Sequence, residues 1–284
     1  MWLYLALGSA VLLGLYDVTK KIAAGRNPVL FVLLVATALS TLFLTPFFFI
    51  YEGTPRDHLC LVMKALLVSV SWISGMVGLK MLPITIVSTL KASRPFLVVI
   101  FSIILFSEQL NAWQWGGVIL ALAAVLLLAR SGRSEGINFA RNKGIWAMAL
   151  CVVAGASSAL YDKFIITGME PMFVQSWSNF YITIIIGGCF LHQRKRAGAL
   201  AKPIRWDWAI VLAAVLITAA DALYFISIKQ SGALLSVVSL ARRASVIVTF
   251  GVGAIFFKEK NVRAKAFDLA ILLAGMVLLV IGSR

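Results

Sequence analysis

Ten apolar runs alternate with short polar segments along the whole chain. They cover residues 2–20, 28–50, 59–79, 84–106, 112–130, 144–166, 172–191, 208–228, 233–257 and 265–283. Each run is close to the ~20 residues that a helix needs to cross the hydrocarbon core of a bilayer. The polar segments are too short to form a soluble domain. The pattern therefore predicts an all-α membrane protein with ten transmembrane helices.

The composition agrees with lipid as the main solvent. Of the 284 residues, 61% are hydrophobic and 13% are charged, whereas a soluble domain carries about 25% charged residues. We expect an integral protein of a bacterial inner (plasma) membrane, with membrane lipid as its surroundings. The net charge of +15 does not indicate nucleic-acid binding, because Lys and Arg cluster between the apolar runs.

The two halves of the chain carry similar features in the same order. The tripeptide Leu-Tyr-Asp ends at Asp17 and again at Asp162, and Ser-Glu-Gln-Leu-Asn at 107–111 corresponds to Lys-Glu-Lys-Asn at 258–261. Five helices is an odd number, so a second copy enters the membrane from the opposite side. We therefore predict a 5+5 inverted-topology repeat within one integral membrane domain, with residues 1–130 and 144–284 as the two repeats.

The distribution of basic residues predicts the orientation. Seventeen Lys and Arg residues fall in odd-numbered loops, counted from the N-terminus. Only four are assigned to even-numbered loops and the C-terminus, namely Arg56, Lys64, Lys229 and Arg284. Loops rich in Lys and Arg usually face the cytoplasm. We therefore expect the odd loops to be cytoplasmic and both termini to lie outside.

Among the charged residues inside the predicted spans, eight are candidate functional groups. They are Lys91, Arg94, Lys163, Arg242, Arg243, Asp17, Asp162 and Asp221. Each such charge costs roughly 2.5–3.5 kcal/mol at the centre of a membrane helix, so these side chains should face the bundle interior or water. The repeat relates the fourth and ninth helices, which places their basic residues near one central volume.

The basic residues of the fourth and ninth helices are the candidate substrate-binding groups. Lys91 and Arg94 are spaced i, i+3 and share a helix face, and the ninth helix carries the adjacent pair Arg242 and Arg243. The planar donors of arginine suit phosphate or carboxylate. The sequence thus indicates an anion site, although the same cations could instead form buried structural pairs with the aspartates.

The aspartates are candidate gating or ion-coupling groups. Asp17 and Asp162 lie near opposite helix ends, where each could close one gate by pairing with a nearby cation, and Lys163 is a neighbour of Asp162. Asp221 belongs to the same group. Because Asp17 and Asp162 lie near helix ends, we expect them to be too far from the central cations to pair with them. Glu108 and Glu259 are expected to cap helices or form surface pairs.

No motif in the sequence indicates catalysis, a metal or a cofactor. The three cysteines are scattered singly, and neither His-Glu-x-x-His nor Gly-x-Ser-x-Gly occurs. A Walker-type phosphate loop, Gly-x4-Gly-Lys-Ser/Thr, is also missing, so the sequence gives no sign of an ATP-driven pump. We expect no enzyme activity, no catalytic residues, no metal site and no cofactor; the oligomeric state is open.

The whole chain resembles the drug/metabolite transporter superfamily in its ten-helix EamA-like branch. The resemblance rests on the 5+5 plan and on the repeated ending, in which an acid and a polar turn precede a glycine-containing terminal helix at 107–128 and 258–280. It implies transport of a small solute without naming it.

A narrower similarity is to the plastid sugar-phosphate translocators of that superfamily. Those proteins carry a Lys-Ala pair before a proline in helix four and a basic pair in helix nine, and these residues bind the substrate phosphate. Lys91-Ala92 before Pro95 and the Arg242–Arg243 pair match that pattern. Arg94 departs from it, because an acid usually stands there, and the basic pair is Arg-Arg where the translocators have Lys-Arg.

These features lead to one main hypothesis and several alternatives. The main hypothesis is a secondary transporter that moves a small anionic or phosphorylated metabolite by alternating access, with the site near the midplane. The alternatives are an exporter of amino acids or drug-like amphiphiles, in which the central charges pair with one another, and a carrier of a lipid-linked phosphate.

Overall fold

The chain folds into helices joined by short connections. The computed structural model describes residues 2–94, 96–97, 101, 111–133, 137–166, 169–198, 203–229, 244–257, 259 and 261–282. The α-helices in these ranges are α1 (Trp2–Arg26), α2 (Val29–Phe43), α3 (Pro55–Met81), α4 (Ile84–Ala92), α5 (Ala112–Arg133), α6 (Lys143–Ile166), α7 (Pro171–Ala197), α8 (Trp208–Lys229), α9 (Ser245–Phe257) and α10 (Val262–Gly282). A 3-10 helix, Thr45–Phe48, follows α2, and the described residues contain no strand. The prediction of an all-α fold with ten helices is confirmed.

Several helices are long and apolar enough to cross a membrane. Within the described residues these are Pro55–Met81, Ala112–Ser131, Lys143–Tyr161 and Met172–Ala197. Shorter apolar helices are Val29–Phe43, Trp208–Tyr224 and Ser245–Phe257. Large apolar side chains stand on the outer surface, for example Leu126 and Ile255, which are 71% and 82% exposed. Such a surface suits contact with lipid.

The start of α3 and the end of α2 differ from the boundaries that the apolar runs predict, and each difference has a local cause. Helix α3 begins four residues before the predicted span because Thr54 and Asp57 form a capping box, with Thr54 Oγ1 accepting from the Asp57 N–H at 3.3 Å and Asp57 Oδ2 accepting from the Thr54 N–H at 2.9 Å. Helix α2 ends at Phe43 although the apolar run continues to residue 50. Pro46 lacks an N–H for α-helical bonding, and the chain continues there as a 3-10 turn.

The helices of one half pack mainly against helices of the other half. The main pairs are α1 with α8, α3 with α6, α5 with α10, α2 with α7 and α4 with α9. Further pairs join α3 with α7, α2 with α8, α1 with α9 and, less extensively, α4 with α6. When the two halves are exchanged, so that α1 replaces α6 and α2 replaces α7, this set of pairs is unchanged.

Polar contacts tie together the odd-numbered loops at one end of the bundle, which we call the odd-loop end. The backbone N–H of Arg205 donates to Asn27 Oδ1 at 2.9 Å, and Arg26 Nη1 lies 3.5 Å from Asp207 Oδ1. At the opposite, even-loop end, Asn111 Nδ2 donates to the carbonyl of Gly282 at 2.6 Å. Alternate connections thus lie at opposite ends, as expected for membrane-crossing helices.

Glu259 forms a buried cluster at the odd-loop end. Its carboxylate accepts hydrogen bonds from the N–H groups of Ile84 and Thr85, at 2.6 and 3.2 Å, and also from the Thr85 hydroxyl. It also lies 3.7 Å from Lys21 Nζ and 4.0 Å from Lys265 Nζ. The expectation that Glu259 caps a helix holds, but it caps α4 rather than its own helix. Its side chain is only 8% exposed, so the expected surface location is wrong.

Candidate functional site

A central cavity of about 500 Å³ lies between the two halves. Its wall is formed by α1, α3, α4, α6, α7, α8 and α9. The charged residues on this wall are Asp17, Lys20, Lys64, Lys91, Arg94 and Asp221. The described part of the wall therefore carries four basic side chains and two acidic ones. Four of these six are charges that the sequence analysis placed inside the membrane.

The cavity lies in the middle of the bundle and reaches furthest towards the even-loop end along α7. Helix α7 begins at that end with Pro171, and Val174 in its first turn already lines the cavity. Towards the odd-loop end the lining stops at Lys20 in α1 and at Lys91 in α4. These residues lie six and seven positions from the helix ends at Arg26 and Ile84, which is about two helical turns.

Asp17 pairs with two lysines at the floor of the cavity. Lys91 Nζ donates to Asp17 Oδ1 at 2.8 Å, and Lys20 Nζ lies 3.6 Å from the same oxygen. The expectation that Asp17 lies too far along α1 to pair with the central cations is wrong. Helix α1 extends to Arg26, so Asp17 lies more than two turns inside the helix, at the depth of Lys91.

Arg94 has a different environment from Lys91, although the two lie one turn apart. Its Nη2 lies 3.4 Å from Ser71 Oγ and 4.0 Å from Cys151 Sγ. Its Nε is buried without a hydrogen-bond partner. Among the side chains that the structure describes, no carboxylate lies within 4 Å of its guanidinium. Arg94 is therefore a cation on the cavity wall, and its described hydrogen-bond partners are uncharged.

Two further charged residues line the cavity above this floor. Asp221 Oδ2 lies 3.5 Å from Gln175 Nε2, which donates to it. Lys64 was assigned to an even-numbered loop in the sequence analysis, and that assignment is wrong. Because α3 begins at Pro55, Lys64 lies about two and a half turns inside the helix and faces the cavity.

For four of the predicted site residues, the side chain lies outside the described part of the structure. Arg242 and Arg243 lie outside the described residues. Asp162 and Lys163 belong to α6, but their side chains lie outside the described part of the structure. The structure thus brings together Lys91, Arg94, Asp17 and Asp221 from the predicted set.

Uncharged polar residues complete the wall, and the sequence analysis missed them. Helix α7 contributes Gln175, Ser178 and Asn179, with Ile182 one turn further on. This i, i+3, i+4, i+7 spacing marks one face of a helix, so polar residues on a single face of an apolar run were the available signal. In the described residues, no group of three His, Cys, Asp or Glu side chains is placed to hold a metal ion.

Comparisons with known proteins agree with this architecture. One solved crystal structure is 17% identical in sequence and superposes with a TM-score of 0.67, over 98% of this chain and 96% of the other; at this identity the likeness concerns the fold alone. No curated protein matches the chain. Residues 1–130 match the family model of the EamA-like transporter family. Residues 1–130, a little under half of the chain, are therefore similar to an EamA-like transporter unit, which is consistent with the drug/metabolite transporter superfamily and with a membrane transporter of small solutes.

Proposed function

We propose that the protein is a secondary transporter for a small organic anion, such as a phosphorylated metabolite. The observation that carries the proposal is the excess of basic over acidic side chains on the described wall of the central cavity. Charges inside a membrane protein are costly and usually mark a solute or ion pathway. An anion entering the cavity would offset this excess.

Arg94 is the primary anion ligand in this proposal. Its guanidinium lies on the cavity wall beside Ser71 and Cys151, and no described carboxylate neutralises it. Guanidinium groups bind phosphate and carboxylate through paired hydrogen bonds. Lys91 would contribute a second positive charge one turn away, and the similarity to sugar-phosphate translocators assigns the same role to Arg242 and Arg243.

Asp17 acts as the gating or coupling group in this proposal. Because it neutralises Lys91 at 2.8 Å, an anion can use Lys91 only after Asp17 has moved away or taken up a proton. Solute binding would then release α1 from α4. Asp162, Lys163 and Asp221 are proposed to serve the corresponding steps in the second half.

Transport by alternating access is supported by the arrangement of the helices. We assign residues 1–130 and 144–284 to two repeats, because the helix pairs are unchanged when the halves are exchanged. The cavity lining stops about two helical turns short of the odd-loop end, where part-buried polar contacts join the helices. Rocking of the repeats would move the opening from one end to the other.

Counterflow in liposomes tests the proposed solute class. Purified protein is reconstituted, and exchange of inorganic phosphate and phosphate monoesters is compared with exchange of amino acids. Arg94→Gln should abolish exchange of the phosphates, whereas Arg56→Gln, which changes an exposed arginine, should leave it unchanged. Phosphate exchange that survives Arg94→Gln would contradict the proposal.

A second candidate is export of amino acids or other zwitterions. The pairing of Asp17 with Lys91 and Lys20 favours it, because a cavity that contains both signs of charge suits a solute with both signs. In that case the same liposomes should exchange amino acids and ignore phosphates.

A further inference from the structure

Gly155 lies directly against the guanidinium group of Arg94. A Cβ atom built on Gly155 would stand 2.3 Å from Arg94 Cζ, 2.4 Å from Nη2 and 2.6 Å from Nε. These three similar distances place the missing Cβ over the face of the guanidinium. The side chain of Arg94 thus lies flat across the backbone of α6, in space that any other residue at position 155 would fill.

Ser71 holds the edge of the same guanidinium. Its buried hydroxyl donates to the carbonyl of Cys151 at 2.9 Å, so a lone pair remains to accept from Arg94 Nη2 at 3.4 Å. Arg94 Nη1 makes no hydrogen bond to any described residue. The face and one edge of the guanidinium are therefore fixed by α6 and α3, and Nη1 remains for a ligand in the cavity.

We propose that Gly155 and Ser71 are positioning residues that fix the plane of the Arg94 guanidinium and thereby set the affinity for oxyanions. The inference rests on the proposed anion transport. A hydrogen bond from Nη1 to a phosphate or carboxylate oxygen lies in the plane of the guanidinium, so the orientation of that plane sets where the oxyanion can bind. Glycine is a poor helix former, and Gly155 lies in the middle of α6, so its place there is explained by the space that Arg94 needs.

The test measures phosphate binding in a double-mutant cycle. Inorganic phosphate is titrated against purified protein, with ligand-induced stabilisation as the readout, for Gly155→Ala, Arg94→Gln and the double variant. We expect Gly155→Ala to weaken phosphate binding about tenfold, the scale of one hydrogen bond to a charged group. In the Arg94→Gln background it should have no further effect, because the two residues act as one unit.

A matched glycine provides the control. Gly188→Ala in α7 has nothing within 4 Å of the added Cβ and should leave binding unchanged. If Gly155→Ala binds phosphate as tightly as Gly188→Ala does, the positioning role is overturned while anion transport stands. If Arg94→Gln itself binds phosphate normally, the proposed function fails.

A second variant tests the proposal independently, in case Gly155→Ala does not fold. Ser71→Ala removes only the hydroxyl that accepts from Nη2 and adds no atoms to the α3–α6 contact. It should weaken phosphate binding in the wild-type background and have no effect in the Arg94→Gln background. Equal loss in both backgrounds would show that Ser71 acts only through the fold and would overturn its positioning role.

Discussion

Removal of the Glu259 carboxylate should destabilise the protein strongly. Glu259 accepts from two backbone N–H groups at the start of α4 and lies between two lysines at the odd-loop end. Lys265 has no exposed surface, and the Glu259 side chain is 8% exposed. In Glu259→Ala the α4 N–H groups lose their acceptor, and the two lysines lose this carboxylate.

The expected magnitude follows from this burial. Breaking a buried ion pair by removing one partner costs about 3–5 kcal/mol. An unsatisfied buried N–H costs about 1–3 kcal/mol, but water can reach part of the new space, so the two terms overlap and the larger one sets the scale. For a protein of this size that loss lowers Tm by roughly 10 °C.

Thermal unfolding in detergent, followed by tryptophan fluorescence, measures the effect. Glu259→Gln keeps an acceptor oxygen for α4 and loses the charge, so its Tm should fall between those of the wild type and Glu259→Ala. Glu52→Ala is the control, because Glu52 is exposed. A Tm for Glu259→Ala within about 2 °C of the Glu52→Ala value, the range of a surface substitution, would refute the reasoning.

Three further predictions concern the cavity, the helix packing and the topology. Asp17→Asn should tighten binding of inorganic phosphate, because it removes the negative charge that neutralises Lys91 at 2.8 Å. An unchanged midpoint in a thermal-shift titration with phosphate would contradict this. Gly253→Ala should lower Tm, because its Cβ would stand 2.3 Å from Ile84 Cγ2, whereas Gly251→Ala, with nothing within 4 Å, should not; equal Tm values would count against the packing argument. A phosphatase fused after Arg284 should be active outside the membrane, and activity of a cytoplasmic reporter there would reverse the orientation.

The number and order of the helices could be predicted from the sequence because the apolar runs are long and the bilayer sets their length. Their ends could not be read from hydropathy alone. The capping box of Thr54 and Asp57 starts α3 before its apolar run, and Pro46 ends the α-helical hydrogen bonding before the apolar run of α2 is over. Both signals are local and visible in the sequence, but they act on hydrogen bonds and not on hydropathy.

The residues of the site could be predicted in part from the sequence, but the contacts between them could not. Intramembrane charge identified Lys91, Arg94, Asp17 and Asp221, because such charges avoid lipid. The contact between Asp17 and Lys91 joins residues 74 positions apart and depends on how α1 and α4 pack. The contact of Gly155 with Arg94 depends on the same packing, and a glycine in a membrane helix indicates close approach without naming the group that approaches.

The local environments of Lys91 and Arg94 separate two tasks that the sequence assigned to both. Arg94 lies on the even-loop side of Lys91 in the chain direction of α4, and only uncharged groups of the described residues hold it. An anion that enters from the even-loop end would therefore meet Arg94 before Lys91, at no cost in broken ion pairs. It would reach Lys91 only by competing with Asp17 at 2.8 Å. Binding energy gained at Arg94 would thus be available to separate α1 from α4, which is the movement that opening towards the odd-loop end requires.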